Sequence, residues 1–465
     1  MLDLQLYNTL SGKLENFQAH HPPIVGLYTC GPTVYNYAHL GNLRAYLFSD
    51  LLKRVLLYNG YQVKHVMNIT DVGHLTDDAD AGDDKIEAGA AREHKTAWEI
   101  ADFYTAAFQN DLNDLNIIAP NIYCRATDYI VEQIELAKAL DQKGYLYRTA
   151  DGIYFDTSKI DDYNKLSHLP LEQLKEGARV DKNPEKLQPT DFAVWKFSPV
   201  GVSRQMEWNS PWGRGFPGWH LECSAMSLKL LAGHLDIHCG GIDHINVHHT
   251  NEIAQSEAAT GQPFFRFWLH NAFLNISGGK KMAKSGDNFL TLEKALKDRQ
   301  LLPLAYRYSA LQVHYRKPME YSLTSLIAAD QALRGLCRQV AGLGPVIGQV
   351  LVNYQQKFLL AINHDLNSPQ ALAIVFEILK SNLAEADKLA TILNFDQVLG
   401  LNLAANSENN QAFDNIPADI QALLEQRIVA RQANDFKLAD ELRQQLLVAG
   451  YRIEDGPSGS RLWPV

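Results

Sequence analysis

The stretch that most restricts the fold runs from Ile24 to Ile69. Ile24–Thr29 is a short apolar run with β-formers; Leu43, Leu47, Leu51 and Val55 then recur every four residues beside Phe48, Leu52 and Leu56; Tyr61–Ile69 returns to β-formers. That order spells strand, amphipathic helix, strand. Gly60 stands where a helix C-terminal cap belongs. A helical crossover makes the two strands parallel neighbours, so an α/β fold with a Rossmann-like parallel sheet is expected. Such sheets bind ligands at the carboxyl ends of their strands. Cys30, His39, Gly41 and Asn42 follow the first strand and Thr70 the second, which puts them at that end.

The segment AHLGN opens the helix. Gly41 lets a nucleotide approach the backbone, and the helix N-terminus with His39 and Asn42 can meet phosphate charge; plain helix capping uses the same residues. A second dense stretch, HCGGIDHINVHHTNE, spans His238–Glu252. Its end reads as a helix, so His248 and Glu252 rise from one face about one turn apart. The pair suits Zn2+, with free thiols from elsewhere completing a shell at about 2.0 to 2.3 Å. An ordinary exposed helix pair has the same spacing. Within the stretch, Gly240 and Gly241 form a turn able to bring backbone to an adenosine, while Asp243 takes ribose hydroxyls. Further on, Gly278 and Gly279 precede Lys280, Lys281 and Lys284. Such a loop is either a solvated basic surface or a flap whose Lys281 and Lys284 close on a triphosphate and neutralise departing pyrophosphate.

The five cysteines are odd in number and scattered, which argues against a disulfide framework and leaves each as core or metal ligand. No apolar run approaches the roughly 20 residues of a membrane span, and the N-terminus lacks the order of a signal peptide, so a cytoplasmic protein is expected. The net charge of −10 gives no hint of a nucleic-acid partner, although only the face meeting phosphates has to be basic. With 465 residues, 46% of them hydrophobic, the chain has material for several cores. The expected division is a first Rossmann half at 1–115, an inserted region at 116–205, a second half at 206–265, a lysine-loop connection at 266–310, an all-helical bundle at 311–405 and a small C-terminal α+β unit at 411–465. Asp71–Glu93 reads as an acidic mobile loop, Tyr145–Asp156 as a hairpin turning at Asp151 and Gly152, and Leu401–Phe413 as a polar linker.

The ordered set YTCGPTVYNYAHLGN, MNITD, GWHLECSAMS, GGIDHINVHHTNEIAQSEAATG and GGKKMAKS resembles the cysteinyl-tRNA synthetases, a class I aminoacyl-tRNA synthetase family. The likeness covers nearly the whole chain and is weakest in the inserted region and the linker. It implies one Zn2+ per chain on Cys30, Cys223, His248 and Glu252, and the family's His-Ile-Gly-His motif at His39–Asn42. It implies the Lys-Met-Ser-Lys-Ser motif at Lys281–Ser285, with Met282 and Lys284 beside ATP and Gly240, Gly241 and Asp243 in the adenosine turn. Thr70 and Trp219 fall around the amino acid with Cys30 and His248. The implied partners are ATP with its Mg2+, L-cysteine and tRNA(Cys), and the implied state is a monomer whose bundle and tail reach the anticodon, with Arg461 or Trp463 as contacts. Asn42 departs from the motif's second histidine and Ala283 from its serine; Cys239 beside His238 is a further oddity, expected to pack or to support the site.

Zinc fits the selection problem. Shape alone separates cysteine from serine by about 10 to 200-fold, whereas a metal that prefers thiolate separates them chemically, with no editing domain. Four protein ligands usually close a zinc shell, so substrate binding needs an expanded shell or a loose Glu252 contact. Two rivals are a cysteine ligase acting on an amino sugar, as in mycothiol synthesis, and a non-catalytic thiol-binding or RNA-binding regulator.

Overall fold

The computed structural model describes residues 3–72, 86, 89–90, 95–170, 183–199, 201, 204–276, 280–281, 289–404, 418–433, 435–456 and 459–464. Most of the acidic segment and of the polar linker, together with Met282 and Lys284, lies outside them.

The expected first unit is present as strand β1 (Ile24–Thr29), helix α1 (Leu40–Tyr58) and strand β2 (Gln62–Ile69). Asn59 ends the helix and Gly60 takes φ 86°, a left-handed turn that costs glycine least. Beyond them, α2 (Ala97–Asp114) leads to β3 (Ile122–Arg125), and α3 (Trp219–Leu230) leads to β4 (Ile237–Gly241). Last come α4 (Thr250–Thr260) and β5 (Phe267–Asn271). The five strands form one parallel sheet in the order β5-β4-β1-β2-β3. The chain leaves β1 towards one edge and fills the other later, so the carboxyl ends of β1 and β4 flank the switch point where such sheets bind ligands.

The inserted part is a five-stranded antiparallel sheet of 146–148, 152–155, 192–197, 213–217 and 208–210, in that order. The expected hairpin is its first pair. Two placements differ from the sequence reading. Ile122–Arg125, expected in the insertion, pairs with Val66–Ile69 as an edge strand of the parallel sheet, and 208–217, expected in the second Rossmann half, belongs to the antiparallel sheet. A four-residue edge strand carries too little periodicity to be told from a loop.

From residue 303 the chain is mainly helical, with 303–311, 323–341, 352–363, 368–380 and 385–399. One strand interrupts the expected bundle: Met319–Tyr321 pairs in parallel with Leu274–Ile276, just after Pro318, which cannot continue a helix. α1 is fastened to this region by a buried polar knot. Asp50 Oδ2 accepts from Arg54 Nε at 2.7 Å and from Arg307 Nη2 at 2.5 Å, while Arg307 Nε donates to the Leu399 carbonyl at 2.7 Å.

The chain divides into two compact units, 1–333 with 347–401, and 334–346 with 402–465. In the second, helices 418–432 and 436–448 pack through Ala430, Ala439 and Leu442, and a hairpin pairs Tyr451–Gly456 with Gly459–Pro464. Among the described residues no helix is long and apolar enough to cross a membrane.

Candidate active site

Cys30, His39, Gly41, Asn42, Thr70, Trp219, Cys223, Gly240, Gly241, Asp243 and His248 all line one cavity of about 700 Å3 at the switch point. Glu252 lies fully buried beside it. These sequence-expected residues are therefore together. Of the lysine loop only the backbone of Lys280 and Lys281 is described, pairing with Ile276 and Asn275.

The start of α1 is built as a reciprocal cap. Asn42 N–H donates to His39 Nδ1 at 3.1 Å and His39 N–H donates to Asn42 Oδ1 at 3.2 Å. With Nδ1 accepting, the ring proton of neutral His39 sits on Nε2. A Cβ at Gly41 would stand 2.9 Å from the His39 ring, so glycine is what lets that ring fold over the helix start. The exit of the lysine loop is moored here: Leu40 N–H donates to the Leu290 carbonyl at 2.9 Å, and the Phe289 ring meets His39 edge-on at 5.9 Å. Across the cavity, a Cβ on Gly240 would stand 2.7 Å from His249 and one on Gly241 would stand 2.4 Å from Asp243 Oδ1, so both positions depend on a bare backbone.

Below the cavity, the donor atoms of Cys30, Cys223, His248 and Glu252 all lie within 4.8 Å of one another, and all four residues are buried. They come from the end of β1, from α3, from a wide π turn at Ile245–His249, and from α4. The wide turn still lets His248 Nε2 meet Glu252 Oε1 at 2.9 Å. Trp219 stacks on the His248 ring at 4.3 Å, and His220 Nδ1 faces His248 Nδ1 at 2.9 Å, leaving Nε2 for the site. Burial, and then the hydrogen bond its thiol gives Cys223, push Cys30 well up. Burial also raises Cys223, but that hydrogen bond and the charge of His248 outweigh it and bring the thiol down to about 6. Glu252 falls to about 2 against its burial because His238 and His248 face it, and His248 rises to about 10 beside Glu252 and Cys223. Two anions against one cation in a buried cluster with sulfur, nitrogen and oxygen donors suit a borderline-soft divalent metal.

Several contributors escaped sequence reasoning. A Cβ on Gly31 would lie 1.6 Å from the Asn68 carbonyl, and Asn68 Nδ2 donates to Thr70 Oγ1 at 3.1 Å, fixing that hydroxyl. His249 Nε2 sits 3.3 Å from Cys30 Sγ, and His238 Nε2 sits 3.0 Å from Glu252 Oε2. Glu222, fully buried next to Cys223, has its carboxyl pushed well up by that burial. Histidine density was the sequence signal for His238 and His249, and no spacing marked Gly31, Asn68 or Glu222. Cys239 is fully buried, with its thiol pushed up by desolvation, and alternates to the face of β4 opposite His238.

Comparison with known proteins follows this geometry. The family model described as tRNA synthetases class I (C) catalytic domain matches residues 16–331, and the Cysteinyl-tRNA ligase anticodon binding domain matches 414–461. Cysteine–tRNA ligase 1 of Burkholderia lata is 49% identical over 99% of this chain and 97% of its own. The cysteine–tRNA ligase of Treponema denticola is 40% identical over 99% of both. Among solved structures, methionyl-tRNA synthetase of Mycobacterium tuberculosis bound by methionyl-adenylate aligns with TM-score 0.55 at 14% identity, covering 82% of this chain and 90% of that one. The Agrobacterium radiobacter LeuRS complex with tRNA aligns with TM-score 0.59 at 11% identity, covering 85% of each. The chain belongs to the cysteine–tRNA ligases, class I aminoacyl-tRNA synthetases that join cysteine to tRNA.

Proposed function

We propose that the chain activates L-cysteine with ATP to cysteinyl-adenylate, transfers it to the 3′ end of tRNA(Cys), and selects cysteine through one Zn2+ ion held by Cys30, Cys223, His248 and Glu252. The observation that carries this reading is the convergence of two thiols, an imidazole and a carboxylate within 4.8 Å in a buried cluster bordering the cavity. Bound there, zinc supplies a soft Lewis acid that takes a thiolate and lowers its pKa, which serine's hydroxyl cannot match.

The remaining work falls to the chain's own groups. Thr70, oriented by Asn68, and Trp219, stacked on His248, shape the space beside the metal ligands for the amino acid. His39 offers Nε2–H and Asn42 its amide to the phosphates at the positive start of α1. Gly240, Gly241 and Asp243 receive adenosine at the end of β4, and Mg2+ enters with the nucleotide. The cysteine carboxylate then attacks the α-phosphate in line, and pyrophosphate leaves. Lys281 and Lys284 close with Met282 to neutralise the charge that develops.

The helical bundle of 311–405 and the unit of 411–465 serve tRNA, with Arg461 or Trp463 as the candidate contact. The anticodon-binding match at 414–461 favours an RNA acceptor over an amino sugar, and a catalytic-domain match disfavours a silent regulator. A cytoplasmic monomer completes the reading. Titrating Co2+-loaded protein with cysteine and with serine tests the selection step: sulfur-to-cobalt absorption grows with cysteine alone, and an unchanged spectrum with both contradicts it.

A further inference from the structure

Two imidazoles beside the proposed zinc site touch its ligands without being among the four. His238 and His249 come from β4 and from the wide turn before α4, and both are fully buried. Their donor atoms, with those of Cys30 and Glu252, also all lie within 4.8 Å of one another. We infer that Cys30, His238, His249 and Glu252 form a second seat for a divalent transition metal, overlapping the first at Cys30 and Glu252, so that a single ion has two mutually exclusive positions. The inference rests on the zinc reading of the cluster and extends it.

Spacing is the first support. Tetrahedral zinc with bonds of about 2.0 to 2.3 Å sets its ligand atoms roughly 3.3 to 3.8 Å apart. Here His249 Nε2 stands 3.3 Å from Cys30 Sγ and 4.0 Å from Glu252 Oε1, and His238 Nε2 stands 3.0 Å from Glu252 Oε2. Small side-chain shifts bring those edges into range, with one sulfur, two nitrogens and one oxygen as donors.

Orientation is the second. His249 Nδ1 lies 2.7 Å from His270 Nε2, and His270 Nδ1 lies 2.8 Å from Thr9 Oγ1. When the Thr9 hydroxyl accepts from His270 and His270 accepts from His249, the lone pair of His249 Nε2 is left pointing at Cys30. A ligand imidazole is held in this way when its other nitrogen donates to an outer partner. His238 lacks that support, since its buried Nδ1 has no hydrogen-bond partner among the described residues. An outer partner changes metal affinity by about 10 to 100-fold, so the second seat is the weaker one.

Cys223→Ser separates the seats, because Cys223 belongs only to the first. Full-length wild type, Cys223→Ser, His249→Ala and the double variant are loaded with Zn2+, desalted and assayed for metal, and the Co2+ forms are read by absorption. Wild type and His249→Ala are expected to hold about one ion. Cys223→Ser keeps about one ion at roughly 10 to 100-fold weaker affinity by chelator competition, with sulfur-to-cobalt intensity about halved, and the double variant loses it. A Cys223→Ser protein that is folded by circular dichroism and metal-free, or a double variant that binds as well as Cys223→Ser, overturns the second seat alone. A metal-free wild type overturns the zinc reading beneath it. If Cys223→Ser does not fold, His248→Ala, which also spares the second seat, replaces it with the same two decisive outcomes.

Discussion

The Nδ1 atom of His39 accepts the backbone N–H of Asn42 while Asn42 Oδ1 accepts that of His39, so each side chain caps the other's backbone at the head of α1. Asparagine at position 42 is therefore a structural partner of His39: its side chain holds the His39 backbone, while its own backbone N–H occupies Nδ1 and leaves Nε2 of that ring for the cavity. Asn42→Ala is expected to cost about 1 kcal/mol of stability and to lower ATP–pyrophosphate exchange about tenfold or more. Asn42→His keeps exchange within about tenfold. Thermal melts and exchange assays check both, and an Asn42→Ala protein with undiminished exchange would contradict the role.

In the proposed mechanism Lys284 acts only on charge that develops as pyrophosphate departs. Lys284→Ala should lower exchange by about 100 to 1,000-fold while zinc content stays near one per chain. Metal analysis beside the exchange assay separates loss of the lysine from loss of the site.

Asp50 is the hub of the knot between α1 and the helical region. Burial pushes its carboxyl up, but Arg307 and Arg54 outweigh that and hold it below the usual carboxylate range. The stability this gives is present above the ordinary carboxylate pKa and lost as pH falls beneath it. Asp50→Ala strands two guanidinium groups in the core and should cost about 3 to 5 kcal/mol at neutral pH, read as a lower urea midpoint. A shift under about 1 kcal/mol would show that the knot contributes little.

Asp111 has the opposite sign. Burial above all, with Asp114 and Glu293 against the pull of Lys297, raises it to about 7. Below its ordinary pKa of 3.8 it is protonated folded or unfolded; from there to about 7 only the unfolded chain ionises it, so stability falls as pH rises through that window. Allowing for partial exposure, Asp111→Asn should stabilise by about 1 to 2 kcal/mol at pH 8 and by almost nothing near pH 4. Equal gains in melting temperature at the two pH values would contradict this.

The β1-α1-β2 unit was legible because its periods change at Thr29, His39 and Gly60, and each change has a local cause. The pairing of His248 with Glu252 was legible from helical spacing, although His248 stands in a wider turn than a regular helix. The meeting of Cys30 with Cys223 was not, since no spacing relates residues on different elements, and only resemblance to a family joined them. His238, His249 and the Thr9–His270 support were hidden for the same reason: side-chain direction in a parallel sheet depends on register, which the chain sets only when β1 and β4 pair.

The most direct test compares ATP–pyrophosphate exchange with cysteine and with serine on protein stripped of metal by a chelator and then reloaded with Zn2+. The expected result is that stripping removes most cysteine-dependent exchange and leaves a preference no greater than the roughly 10 to 200-fold that shape supplies, and that reloading restores it. Stripped protein that still activates cysteine with its full preference over serine would contradict selection by metal.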